Sequence, residues 1–551
     1  MRIGIDFDNT IACYDRSFLG VANMMGFPVV AGANSKAAIK QHILESGGGD
    51  SDWQRLQGQV YGKHMLRAEI FPGFLEFLYL CRARGHQLFV VSHKSEFGHF
   101  DAERIPLRDQ ARKWMENNRL FEGDTPLVAT EEVYFEPTRE AKVARISMLK
   151  CTHFIDDLPE VFQERGFPEA TKKILFAPSG ECVGTSEQPV FASWRELSAA
   201  LLGTVTEKEM TEMAARRFSE LDVKGVELRK GGGNSRLYRL SLGNAHPGLA
   251  LKVYPDRQHD TRTRLQTEFT AFEVLGRLGY PVPGAYAADP ALNWSLYEWV
   301  EGASIDSEDE RFLSEAAGFI ERLYSDSRNG AFSQASHTFE LASEACLSGN
   351  EIVRQIEGRM RRLVAVNSPE LQHFLEDEFR PLFASAVAIA QANCGEVFVT
   401  ELAQELRIAS PSDFGSHNAL RTGDGLTLFL DFEYFGWDDP VKLASDCYWH
   451  PAMHLGEGAK AFWLSHCCRI FRADPSFRRR LASYLPLFGL KWSLIILNEF
   501  LSRNAAVRVH ADPCKANDLA RIRTAQLDKS AALLRQIKEM VYELGSAVAA
   551  P

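Results

Sequence analysis

The chain has 551 residues, 45 % hydrophobic and 25 % charged, with a net charge of −11 and a pI near 5.8. That is the composition of an ordinary globular protein too long for one core, so two to four domains are expected. The acidic balance offers no basic footprint for nucleic acid or an anionic membrane surface.

In chain order, Arg2–Phe7 is a short apolar strand that runs straight into Asp6-Phe7-Asp8-Asn9-Thr10. Because the chain opens on this strand, MRIGIDFDNT, no signal peptide is expected. Strand alternation puts Asp6 and Asp8 on one side, and ligands of open α/β sheets bind at the carboxyl ends of strands. Two carboxylates there can divide labour as nucleophile and general acid. Gln87–Ser92 is a second buried-type strand ending in a hydroxyl, Thr138–Lys142 opens a helix carrying a Lys, and His153–Asp157 is a strand ending in paired acids. Helical patterns at Gly73–Arg84 and Arg108–Asn117 give the βαβ rhythm of a parallel sheet.

Asp-x-Asp-x-Thr, then Ser, then Lys, then paired Asp, in that order, resembles the haloacid dehalogenase superfamily. The resemblance implies a Rossmannoid α/β fold in which Asp6 is the phosphoryl-accepting nucleophile and Asp8 the general acid/base. Thr10, Ser92 and Lys142 then bind phosphate, and Asp6, Asp8, Asp156 and Asp157 form a Mg²⁺ site. The insertion from Tyr14 to about Ile70 is expected to be a small helical cap, with Trp53 and Tyr61 as packing residues. The polar loop His93–Arg104 offers His93, Lys94, His99 and Asp101 as side chains facing either substrate or solvent.

A last helix of this part, Phe191–Leu202, stops at Gly203, and Thr206 with Glu209 writes a capping box for the next. The expected division is therefore 1–203 and 204–551. Leu228–Arg239 holds a glycine triplet that lets backbone approach a polyphosphate, and the strand Gly248–Tyr254 presents Lys252. The helix Thr263–Leu278 carries Glu268 and Glu273. Ser295–Gly302 is a strand leading into a turn, and 310–392 and 452–545 read as amphipathic helices.

Ser412–Asp446 reads as a hairpin whose Asp424-Gly425 forms a two-residue turn. That register sets Leu420 opposite Phe429 and Asn418 opposite Asp431, with Asp413 in the feeding loop. Two carboxylates and an amide converging at a strand end suit a divalent cation and a base for a hydroxyl proton. The segment resembles the aminoglycoside phosphotransferase/choline kinase family: Asp-x-x-x-x-Asn, a second Asp, then Asp439-Pro440 and Asp446. One departure is Pro411, where that family usually has a His two residues before the catalytic Asp.

This second resemblance implies a bilobal protein-kinase-like α+β domain, with an N-lobe at about 206–302 and a helical C-lobe at about 303–551. Asp413 is then the catalytic residue, and Asn418 and Asp431 hold Mg²⁺. Gly232, Gly233, Asn234, Ser235, Lys252, Glu268, Glu298 and Val300 bind ATP, Lys252 pairing with Glu268 or Glu273.

Together the two parts are expected to make a bifunctional small-molecule kinase and phosphatase. Its substrate is a sugar, polyol or related metabolite, as in surface-polysaccharide precursors. Rival readings are a kinase with a regulatory N-terminal domain and a non-enzymatic scaffold. The partners expected are nucleotide and small molecule, not nucleic acid or membrane, with a homo-oligomer left open. Ten cysteines without a Cys-x-x-Cys pair read as reduced thiols of the cytoplasm. No apolar run reaches the roughly 18 residues of a membrane span, since Lys491, Ser493 and Asn498 interrupt LKWSLIILNEFL.

Overall fold

The computed structural model describes residues 1–27, 35–45, 49–101, 103–123, 126–178, 188–229, 235–243, 247–255, 262–332, 339–501 and 519–549. It divides into two compact units, Met1–Thr261 with Ala288–Ser295, and Arg262–Ala287 with Leu296–Pro551.

The first unit is built on a six-stranded parallel sheet. From one edge its strands are Val133–Glu136, Gln87–His93, Arg2–Ile5, His153–Asp156, Lys172–Phe176 and Val190–Phe191. Strand order reverses beside Arg2–Ile5, so a crevice opens where that strand ends, at Asp6. Apolar residues on both faces explain why the strands are continuous hydrophobic runs rather than alternating ones. Phe89, Val91, Phe154, Val161, Phe162 and Leu175 form one core. On the other side Trp194 packs on Phe74, Phe77 and Phe176 at 4.9–5.3 Å between ring centroids. Gly4 is required here, because a Cβ would lie 2.5 Å from the Phe154 ring.

Between the antiparallel pair Ala12–Cys13 and Glu69–Ile70, the chain makes helices Asp15–Met24, Lys36–Glu45 and Gly49–Tyr61. This is the expected helical insertion. Phe18 stacks on Trp53 at 5.0 Å in the core, and the half-buried Tyr61 packs edge-on to Tyr14 at 4.8 Å.

The helix Glu207–Arg217 has the expected capping box, with Thr206 and Glu209 bonding each other's backbone. Arg84 clamps Glu209 at 2.7 Å, and Arg217 pairs with Asp289. The antiparallel strands Val223–Arg229, Arg236–Leu242 and Leu249–Val253 follow. These described elements group with the first unit, whereas the capping signals divide the sequence at 203/204.

The second unit holds the helix Arg264–Arg277, the strand Gly302–Ser304 and a hairpin of Ala419–Thr422 with Thr427–Phe429. Around these lie helices that include Glu310–Arg328, Gly349–Val364, Arg380–Cys394, Pro440–Trp449, Phe477–Ile496 and Leu519–Ala549. Phe319, Phe414, Phe429 and Phe432 form an aromatic core under the hairpin. Phe477–Phe500 has the length and composition of a membrane span, but 72 % of its apolar window is buried inside the protein. Its Lys491 bonds Gln355 at 2.6 Å and pairs with Glu344 at 3.1 Å.

The hairpin register differs from the expected one by one residue. Ala419 faces Phe429 and Leu420 faces Leu428, so the loop has three residues, Gly423 to Gly425. Only Gly425 takes positive φ, at 85°, and the two-residue turn would need it at Asp424 as well. Leu430, not Asp431, is therefore opposite Asn418 and donates to its carbonyl at 2.8 Å.

Candidate functional sites

In the first unit, three sheet strands and one helix deliver their polar ends to one place. Thr138 caps the helix Arg139–Met148, accepting from Ala141 N at 3.1 Å, and sets the helix so that Lys142 points inward. The Lys142 ammonium lies 2.5 Å from Asp6 and 2.6 Å from Asp156, all three side chains buried. Burial pushes the Asp6 carboxyl up to about 7 against the pull of Lys142, with Asp156 and Asp8 adding to the rise. Asp157 is likewise raised, by burial and then by Asp6 and Asp156. Lys142 is raised in turn, because the two carboxylates outweigh its burial.

Asp6, Asp156 and Asp157 each bring an oxygen within 4.8 Å of the others, a hard-oxygen set suited to Mg²⁺. Asp156 accepts from Leu158 N at 3.0 Å, and Asn9 donates to Asp157 at 3.2 Å, so both acids are oriented. Ser92 and Thr10 are buried beside this cluster's strands, and the Thr10 hydroxyl has no hydrogen-bond partner among the described residues.

Asp8 is held differently. Lys94 donates to both its oxygens at 2.8 Å, and Tyr14 donates to it at 2.5 Å. Of the polar loop after Ser92, Lys94 alone among His93, Lys94, His99 and Asp101 is buried. His93 bonds the Pro137 carbonyl, and Asp101 caps its own loop. Lys36 also reaches the site, 3.3 Å from Asn9 Oδ1, and no motif marks it because it sits on the inserted helix.

In the second unit, Asp413 lies on the turn after the strand Ile408–Ser410. Asn418 donates to its carbonyl at 3.0 Å, closing the loop. His417 Nε2 lies 2.9 Å from Asp413 Oδ1 and His450 Nε2 lies 3.4 Å from the same oxygen. Burial works against the Asp413 charge, but the His417 bond and the two imidazoles hold its carboxyl below the usual range. His450 is pushed down to about 4, by burial first and then by His417. The sequence reading missed both histidines: His417 sits inside the Asp-x-x-x-x-Asn loop, and His450 at the far end of the helix Pro440–Trp449.

Asp431 and Ser412, neither a glycine, adopt φ of 62° and 67° on either side of this loop. Such backbone costs about 1–3 kcal/mol per residue and persists where surroundings over-determine it. The surroundings are visible here. Phe432 N donates to the buried Glu268, and Arg264 pairs with Glu433. Glu268, Asp431 and Glu433 bring oxygens within 4.8 Å of one another. Glu273 is only half-buried on the same helix. Asp439 caps the helix Pro440–Trp449 and pairs with Arg480, and Asp446 pairs with Lys442 at 2.8 Å.

Lys252 is half-buried on Leu249–Val253 opposite Leu237, its ammonium 5.3 Å from the Tyr254 ring centre, and Ser235 precedes the strand Arg236–Leu242. Both belong to the first unit. Gly232, Gly233 and Asn234 lie outside the described residues. Glu298 ends the strand Trp294–Glu298, exchanging backbone and side-chain bonds with Gly284, and Val300 follows half-buried.

Residues 225–458 match the model of the phosphotransferase enzyme family, APH. One curated relative, the EKC/KEOPS complex subunit BUD32 of Chaetomium globosum, is 34 % identical over 82 residues. That match covers 13 % of this chain and 31 % of the relative, so the chain spans about a third of that protein's length. Among solved structures, choline kinase from Cryptosporidium parvum is 11 % identical, covering 62 % of this chain and 99 % of that one, with a TM-score of 0.42. Choline kinase from Streptococcus pneumoniae is 13 % identical, with 60 % and 98 % covered and a TM-score of 0.40. Ethanolamine kinase from Plasmodium vivax is 12 % identical, with 62 % and 94 % covered and a TM-score of 0.40. The family match spans the helix of Glu268, the Asp413 loop and the hairpin to Asp446, so residues 225–458 are similar to the phosphotransferase enzyme family.

Proposed function

We propose that the chain is a bifunctional cytoplasmic enzyme, an ATP-dependent small-molecule kinase joined to a haloacid-dehalogenase-type phosphatase. In the kinase half, Asp413 takes or orients the proton of an acceptor hydroxyl on a sugar, polyol or related metabolite. Asn418 and Asp431 would hold Mg²⁺, and Glu298 to Val300 would meet the adenine edge. The family match across 225–458 carries this half.

In the phosphatase half, an Asp6 oxygen attacks phosphorus, the P–O ester bond breaks, and Asp8 gives its proton to the leaving oxygen. Water then attacks the aspartyl-phosphate while Asp8 takes its proton, releasing phosphate and restoring Asp6. Ser92, Thr10 and Lys142 bind the transferring group. Asp6, Asp156 and Asp157 would hold Mg²⁺, which would add the positive charge that lets a dianion approach a carboxylate. The observation that carries this half is Lys142 bridging Asp6 and Asp156 at the carboxyl edge of the sheet. The two halves together move phosphate between positions of one metabolite, as the making of polysaccharide precursors requires.

The test is a metabolite screen with ATP and Mg²⁺ on wild type, Asp6→Asn and Asp413→Asn, following phosphate release and phosphorylated products separately. Loss of phosphorylation in Asp413→Asn alone and of phosphate release in Asp6→Asn alone is the expected pattern. If Asp6→Asn changes no phosphate-ester hydrolysis, the N-terminal part, residues 1–203, is regulatory.

A further inference from the structure

Asp413 Oδ1 is approached by two imidazoles from different parts of the chain, His417 in its own loop and His450 after the helix Pro440–Trp449. The two rings stack in parallel, 4.0 Å apart and tilted by 1°. His450 is fixed on every side that the contacts reach. Ala452 N donates to its Nδ1 at 3.2 Å, and Trp492 packs edge-on at 4.7 Å. Trp492 is held by Asp446, accepting from the indole at 2.9 Å. Asp446 pairs with Lys442, and Lys442 donates at 3.0 Å to Ser412, the neighbour of Asp413. The contacts therefore close a ring from Ser412 around to Asp413.

Three ligand atoms this close could also hold a metal ion. The Ala452 bond argues otherwise. A nitrogen that accepts N–H carries no proton, so the proton of neutral His450 sits on Nε2, facing Asp413. A metal at Nε2 would need that lone pair and would drive the proton to Nδ1, against the Ala452 N–H.

We propose that His417 and His450 are a positioning pair, His417 donating from Nε2 to Asp413 and His450 backing the same oxygen with its Nε2 at 3.4 Å, which together fix the carboxylate at the angle from which it meets the acceptor. The proposal rests on Asp413 being the group that handles the acceptor proton. An untethered carboxylate on a loop samples many orientations, and a misplacement near 1 Å costs about a hundredfold in rate. Neither histidine touches substrate in this role.

The probe is Mg·ATP with water as acceptor, measured as steady-state ADP release from the full chain. His417→Phe and His450→Phe keep a stacked ring but remove the donor, and each is expected to lower kcat about a hundredfold while KM for ATP stays within about twofold. His450→Gln, which restores a donor, recovers most of the loss. Adding His450→Phe to Asp413→Asn costs nothing more, because the pair acts through Asp413. Independently of turnover, ¹⁵N spectra of the imidazoles show His450 as the Nε2–H tautomer and its signal moves in Asp413→Asn.

Full rates in both Phe variants beside a dead Asp413→Asn overturn the positioning role alone. An unchanged Asp413→Asn overturns the assignment of Asp413 and the proposal with it. An Nδ1–H tautomer, or one equivalent of Zn²⁺ bound in wild type and lost in His450→Phe, also overturns it.

Discussion

Phe432 donates its backbone N–H to Glu268 Oε1 at 3.2 Å. This single bond ties the helix Arg264–Arg277 to the residue directly after Asp431, whose backbone sits at φ 62°. Glu268 is buried, so removing its side chain leaves a donor dry. Glu268→Ala is therefore expected to lose about 1–3 kcal/mol and to weaken Mg·ATP binding as the Asp431 backbone relaxes. Glu268→Gln keeps an acceptor oxygen and should lose less than half as much. Urea midpoints and calorimetric titration with Mg·ATP check both, and equal losses in the two variants would sink the account.

Lys142 is the only cation in contact with both Asp6 and Asp156 among the described ion pairs. Lys142→Met keeps the stem's volume but leaves two buried carboxylates facing each other. Breaking such a buried pair costs about 3–5 kcal/mol, and hydrolysis of p-nitrophenyl phosphate should vanish. In Asp6→Asn the ammonium keeps Asp156, so the fold should hold while hydrolysis is lost. Circular dichroism separates the two: a folded, fully active Lys142→Met contradicts the bridge's importance.

How far the sequence could reach is clear from these same residues. Asp6, Ser92, Lys142 and Asp156 were legible because strand ends in a parallel sheet converge, and convergence is a property of topology rather than of side chains. Lys36 was not, because its helix lies in an insertion whose docking depends on packing of Phe18, Trp53 and Tyr61. The Asp413 loop was legible from its local spacing. His450 was not, since only the tertiary course of the helix Pro440–Trp449 brings it back to Asp413. The hairpin was found but its register was misread, because Asp-Gly serves both two- and three-residue loops and only Gly425 needs a left-handed backbone.

His450 and Asp6 predict opposite pH dependences. His450 is held down to about 4 when folded, against an ordinary value near 6.5. Between those values the unfolded chain binds the extra proton, so stability rises with pH there and is lost as pH falls. Asp6 is pushed up to about 7 from an ordinary 3.8 when folded, so its contribution falls as pH rises across that window. The two overlap, and the wild-type curve alone cannot separate them. The difference between His450→Gln and wild type can: it should favour the variant at about pH 4.5 relative to about pH 7.5, by up to about 3 kcal/mol. A pH-independent difference in urea midpoints would contradict the His450 assignment.

The hairpin loop that carries the Asn418 strand back to Asp431 has a register that substitutions can test. Thr422 N bonds the Leu426 carbonyl at 2.9 Å and Gly425 N bonds the Thr422 carbonyl at 2.9 Å, which leaves Gly423, Asp424 and Gly425 as the loop. Gly425 alone takes positive φ, and its carbonyl accepts from Arg311 at 2.6 Å. In a two-residue turn, Asp424 and Gly425 would both need the left-handed region. The two registers therefore differ in what each position tolerates. Gly425→Ala is expected to cost about 1 kcal/mol, the penalty of forcing a Cβ into that region. Asp424→Ala should cost less than Gly425→Ala, because its carboxylate is exposed and loses mainly the bond from the Thr422 hydroxyl. Asp424→Gly, which would relieve strain in a two-residue turn, should instead destabilise slightly by adding freedom to the unfolded chain. A stabilising Asp424→Gly, read from urea midpoints, would restore the two-residue turn and place Asn418 opposite Asp431 after all.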